Sequence, residues 1–170
     1  MDRGLGDLRK AAAVEEQEPQ AELRIEAVRM AVEQGQQMAQ MRRATGMALA
    51  CGQNEGLIFR FRDLLLHEAL DYVQPNVVSS GGFTQCVKIA GLAAGFNVPL
   101  ANGGAWPYHN MHLQAGVSNG TLVEMHYLAV ELWRQLYRDR PEPEDGWLTL
   151  PDAPGLALSD SARGTLPHLE

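Results

Sequence analysis

The chain is short of several things that whole classes of protein need. It has two cysteines, Cys51 and Cys86, far apart and in no ligand-like spacing, which excludes a disulfide framework or a zinc knuckle. It has two lysines, Lys10 near the start and Lys88 among apolar residues, so none lies where a lysine base would be needed at a strand end. Positive charge is scarce overall: 14 Lys and Arg against 21 Asp and Glu leave a net charge of −7. That balance argues against a nucleic-acid backbone or an anionic membrane as partner. No apolar run approaches the roughly 18 residues of a membrane span. The N-terminus MDRGLGDLRK has no apolar core of a secretory signal. A reducing, cytoplasmic setting is therefore expected.

What the chain does have is cadence. Four short apolar runs each end in a polar residue and lead through glycine or proline into a helix-like stretch: Met47–Gln53, Tyr72–Asn76, Val98–Asn102 and Thr121–Glu124. They recur at about 24 residues, close to one strand–helix unit of a (β/α)8 barrel. With 170 residues, 45% of them hydrophobic, the chain can bury a real core but is too short for the roughly 250 residues of a whole barrel. The expected fold is α/β, a partial barrel preceded by a long helix.

Three parts follow from composition. Residues 1–46 form a small, acidic leader and an amphipathic helix over Ala21–Arg43, with Leu23, Ala27, Met30 and Ala31 on one face and Gly46 as its C-cap. Residues 47–138 form the partial barrel, with helices expected at Phe59–Leu70, Phe83–Ala94, Pro107–Ala115 and Tyr127–Tyr137. Ser79-Ser80 are read as an N-cap, Gly95 as a C-terminal glycine and Pro107 as a first helical residue. Residues 139–170 comprise a charged, proline-bearing linker, an extended segment and a tail whose last dozen residues read as disordered.

Polar side chains at the C-terminal ends of parallel strands converge on one rim, where barrel enzymes do their chemistry. Gln53 and Glu55, two apart, can offer oxygen ligands to a hard cation such as Mg²⁺, or serve as a strand-end cap with Glu55 in water. Asn76 closes the second run as a turn residue or a site residue. Asn102-Gly103-Gly104 closes the third, where glycines admit a ligand or simply positive φ. Glu124 interrupts an apolar strand, and a carboxylate there needs a partner or a task. His109 and His112 share a helical face and offer a general acid or base, a metal pair, or ordinary polar residues.

These residues in this order resemble a known family. RRATG before MALACGQNE, then FRDLL, DYVQPNVVSSGGFTQCVKIAGLAAGFNVPLANGG, HNMHLQAGVSNGTLVE and PDAPGLAL, from about Met38 to Leu158, resemble the C-terminal part of the enolase superfamily in its mandelate racemase/muconate lactonizing branch. The resemblance implies a (β/α)7β barrel of which the four runs are the fifth to eighth strands. It implies one Mg²⁺, proton abstraction next to a carboxylate by a Lys or His, and substrates that are hydroxy-carboxylates such as sugar acids. Dehydration is the expected outcome. It places a metal-binding carboxylate at Gln53, with Glu55 as the alternative, the Asp of a His–Asp dyad at Asn76, its His at Gly103, and the substrate-carboxylate acid at Glu124. His109 is the available replacement for the missing His. The catalytic candidates are thus Glu124, His109 and Asn76, the substrate-binding candidates Asn102 and Gly103, and the metal candidates Gln53 and Glu55. With its base and most ligands absent, the isolated chain is expected to be inactive. It is expected to form a homo-oligomer or to take a partner that supplies the rest of the barrel. The alternative is a degenerate member acting as a binding module.

Overall fold

The computed structural model describes residues 18–137, 141–152, 154–156 and 158. The expected leader up to residue 17 and the expected disordered tail from residue 159 lie outside the described residues. The chain divides into two compact units, residues 1–34 and 35–170. In the first, residues 18–34 are the start of helix α1 (Glu18–Thr45), whose mix of Glu, Gln, Arg, Met and Ala favours a helix with little tertiary help. The second holds everything that positions the site.

Its frame is a parallel sheet of four strands in the order β1 (Ala50–Cys51), β2 (Tyr72–Val73), β3 (Leu100–Asn102) and β4 (Gly120–Val123). Between them run α2 (Ile58–Leu66), α3 (Gly82–Gly95) and α4 (Pro107–Gly116), and a turn of 3-10 helix leads into α5 (Val130–Leu136). This is the expected α/β partial barrel. The first two strands are shorter than the apolar runs that encode them. Gly52 turns away at φ +125° and ends β1, and Pro75, which has no N–H to donate, closes β2.

Alternation along the strands sorts the faces. Cys51, Val73 and Leu100 point to the helices, where they join Phe61, Leu64, Ile89 and Leu113 in the main core. Ala50, Tyr72, Ala101 and Leu122 alternate to the other face, and Leu122 is 60% exposed. A second core gathers Tyr108 and Met111 of α4 with Trp133 and Tyr137, and the Trp133 indole N–H donates to Ala105 O at 2.7 Å. Among the described residues no helix is long and apolar enough to cross a membrane.

Helix ends show where local signals held. Pro107 is the first residue of α4, and Gly46 adopts φ +66° after α1 with its N–H on Arg42 O. The helix expected through Leu70 instead stops at Leu66. Glu68 takes a left-handed φ of 55°, and the His67, Glu68 and Ala69 N–H groups fold back onto the carbonyls of Asp63, Leu65 and Leu64. Gly95 is the last residue of α3 rather than its cap, the left-handed position falling on Asn97 at φ 56°. Ser80 does not cap α3: Gly81 holds that position, and the Ser80 hydroxyl is spent on the rim.

The N-terminal end of the sheet is tied by Arg42, which donates to both oxygens of Asp71, while Asp71 also accepts the Leu49 N–H at 2.8 Å. The guanidinium, and then that N–H, hold the Asp71 carboxyl down at about 2. A carboxyl whose native pKa is depressed contributes stability above its unfolded value and loses it as pH falls through the native one. Asp71→Asn is therefore expected to melt below the parent at pH 7, with the gap closing between about pH 4 and pH 2. Paired thermal melts across that range check it; a gap independent of pH would assign the effect to packing.

Candidate functional site

The C-terminal ends of all four strands meet in one hydrogen-bonded rim. From the β1 loop, Gln53 O accepts the Ser79 hydroxyl at 2.7 Å and Glu55 O accepts the Ser80 hydroxyl at 2.8 Å, so the turn after β2 is bolted to the turn after β1. After β2, buried Asn76 accepts the Val78 N–H at 3.1 Å in an Asx turn, and its own N–H donates to Ser80 Oγ. Asn110 of α4 supports that turn from behind, accepting the Val77 N–H at 2.9 Å and donating to Asn76 Oδ1 at 3.5 Å.

Asn102, 2% exposed, spends its side chain inward. Its amide N–H donates to Pro75 O, and its Oδ1 accepts from Gln114 Nε2 at 2.6 Å. Gln114 itself enters a register shift between β3 and β4: its Oε1 takes the Thr121 N–H at 2.6 Å and its Nε2 reaches Leu122 O at 2.9 Å. One helical glutamine thus replaces the ladder bonds that the irregularity removes. Glu124 completes the rim. Its N–H donates to Asn102 O at 3.1 Å and its Oε2 accepts the Gly104 N–H at 2.5 Å, which holds the left-handed Gly104 turn closed.

The space in front of Gly103 decides much of the chemistry. A Cβ added there would lie 2.9 Å from Gln53 Oε1 and 3.2 Å from Gln74 Nε2, so two neutral amides occupy the place a side chain at 103 would take. At Gly104 an added Cβ would overlap the Asn76 amide. Gln53, Asn76, Asn102, Gly103 and Glu124 therefore share one rim as expected. Glu55 sits on the same rim but in an ion pair with Arg60 at 3.3 Å.

His109 faces elsewhere. Its Nδ1 is 2.8 Å from the Tyr137 hydroxyl and its ring packs edge-on to Trp106, at the border of the second core. Burial, and then the neighbouring His112, push its pKa down, while burial raises that of Tyr137, so the contact pairs a neutral imidazole with a neutral phenol. Burial lowers His112 as well. Burial also pushes the Cys86 thiol up to about 11 and Cys51 upward, which makes neither a nucleophile.

Gln74, Asn110 and Gln114 are rim residues that sequence reading did not single out. Neutral amides in apolar company carry no signal of charge, and only their partners reveal them. His126, two residues past Glu124, was likewise missed; its Nδ1 is buried without a hydrogen-bond partner among the described residues.

Residues 25–160 match a family model described as enolase C-terminal domain-like. The chain belongs to that family. It is 30% identical to an arabinonate dehydratase of Saccharolobus solfataricus over 59% of its own length and 28% of the relative's. It is 28% identical to a D-xylonate dehydratase of Haloferax volcanii over 68% and 29% respectively. Among solved structures, an L-talarate dehydratase from Polaromonas sp. JS666 complexed with Mg and L-glucarate superposes with a TM-score of 0.66 at 29% identity. That superposition covers 76% of this chain and 35% of the other. The chain thus spans under a third of the length of these curated relatives.

The described residues do not make a magnesium site by themselves. Among them no three His, Cys, Asp or Glu side chains are grouped to hold a metal. Of the expected ligands, Gln53 offers one neutral oxygen and Glu55 is already bound to Arg60, against the several oxygens that Mg²⁺ demands.

Proposed function

We propose that this chain forms the back wall of a sugar-acid site of the dehydratase type and does not turn over substrate by itself. The relatives are dehydratases of sugar acids, and a polyol carboxylate is what this rim can grip: amides of Gln53 and Gln74 for hydroxyls, and a Glu124 oxygen beyond the Gly104 bond. The observation that carries the reading is the filled space at Gly103. Where the family resemblance places the base, Gln53 and Gln74 side chains stand instead, and an amide cannot take a carbon-bound proton at neutral pH. His109 does not make up the loss, because its Nδ1 is engaged with the Tyr137 hydroxyl at the border of the second core, away from the rim.

The test is incubation of the chain with Mg²⁺ and a panel of aldonic and aldaric acids. No keto-acid product above background is expected, while rim amide resonances of Gln53, Gln74 and Gly104 shift on adding a sugar acid. Glu124→Gln is expected to weaken that binding about tenfold, since it removes the charged acceptor that organises the Gly104 turn. Measurable dehydration by the wild-type chain alone would overturn the reading. Equal binding by the Gln variant would remove Glu124 from it.

A further inference from the structure

We propose that two copies of this chain close into one eight-stranded barrel, the Met47–Cys51 stretch of each copy entering the groove beside β4 of the other. Among the described residues the sheet has four parallel strands in sequential order, so β1 and β4 are its edges, with the polarity that lets one pair in parallel with the other. Parallel sheets are buried on both faces in nearly all known cases, whereas here Ala50 and Leu122 on the face away from the helices are exposed. A twofold axis along the barrel pairs β4 with the partner's β1 twice, which removes both edges together and then stops.

Three observations favour a second copy over another occupant. First, a groove of about 540 Å³ runs beside β4, lined by Met111, Leu122, Met125, Trp147, Leu148 and Leu150. Gln114 and Thr121 add polar groups to that lining, and the groove runs along an edge strand that has no second partner strand among the described residues. Second, the segment that would fill it is apolar and presented: Met47, just before β1, is 65% exposed, and Ala50 is exposed. Third, the face away from the helices is suited to twofold packing. An eight-stranded barrel is filled in layers drawn from alternate strands. Here β1 and β3 offer Ala50 and Ala101, while β2 and β4 offer Tyr72 and Leu122. Duplicated about the axis, these give small layers against large ones. α5 leans back on Tyr108 and Met111 of α4, and residues 35–45 of α1 pack against His67 and pair with Asp71 of their own chain.

The mouth of such a barrel carries both copies of the Gln53, Gln74 and Glu124 rim, so the proposal stands whether or not the rim binds a sugar acid. Light scattering on the eluting full chain tests it. A mass of about 37 kDa, twice the 18.6 kDa of one chain, is expected, constant over an about hundredfold range of concentration. Leu122→Asp would put two carboxylates inside the closed barrel and is expected to weaken association at least about 100-fold with unchanged far-UV circular dichroism. Met47→Asp, at the other half of the seam and outside the core, is expected to give monomers too, and decides the matter if the first variant does not fold. A monomeric wild type, masses that climb past the dimer, or a dimer that survives Met47→Asp would each overturn the proposal.

Discussion

Gly52→Ala is expected to cost about 3 kcal/mol of folding stability, among the larger losses available from adding one methyl group. Two effects add at this position. Gly52 sits at φ +125°, outside the region that residues with a Cβ adopt, and strain there is of the order of 1–3 kcal/mol. The same Cβ would also overlap the Phe61 ring, which is fully buried at the centre of the main core and has nowhere to slide. Denaturant unfolding reads the loss directly. The double variant with Phe61→Leu separates the causes, since it makes room for the methyl but leaves the backbone strain. Its stability is expected to exceed the sum of the single effects by about 1–2 kcal/mol. A loss below about 1 kcal/mol for Gly52→Ala would mean that β1 can end in another conformation, and Gln53 would then no longer be held against Gly103.

That coupling shows what a sequence can and cannot disclose about this molecule. The strand–helix cadence was legible because each apolar run is closed by Gly, Pro or Asn, and the order and parallel pairing of the four strands follow from it. Pro107 and Gly46 marked their helix ends because each has one strong local preference. Glu68 did not, because its left-handed conformation is imposed by folded carbonyls and hydrogen bonds rather than by residue type, and Asn97, a residue type that does favour that conformation, was masked by Gly95 two positions earlier. The rim divides in the same way. Gln53, Asn76, Asn102 and Glu124 were readable as strand-end polar residues, and the structure brings them together. Their roles within the rim were not readable, because they depend on which amide finds which carbonyl across 20 or more positions of chain. Ser79 and Ser80 make the point in miniature. Two serines before a helix signal a cap, yet both hydroxyls donate to carbonyls of the β1 loop because the unpaired acceptors lie there.

The distinction between a residue that binds and one that builds has its sharpest test at Asn102. It was a candidate for substrate binding, but its described hydrogen bonds run to Pro75 O and Gln114. Asn102→Asp keeps the shape and exchanges the donating amide for an oxygen facing the Pro75 carbonyl. At pH 7 the variant is expected to be about 3 kcal/mol less stable than wild type, because a buried carboxylate is left against an acceptor with only Gln114 to satisfy it. The sign of the pH dependence follows. Burial and the Pro75 oxygen raise the native pKa of the introduced carboxyl above its unfolded value of about 3.9. Stability relative to wild type is then greatest below that value, where the protonated acid can donate to Pro75 O, and falls as pH rises through the raised native pKa. Unfolding curves for the two proteins at pH 4 and pH 7 are expected to lie closer at pH 4 by about 2 kcal/mol. If the variant instead keeps wild-type stability at both pH values and loses only sugar-acid binding, Asn102 faces the ligand and the inward bonds are dispensable. If both fall together, the rim and the fold are one network, and the substrate wall is held in place by the bonds that hold β3 to β4.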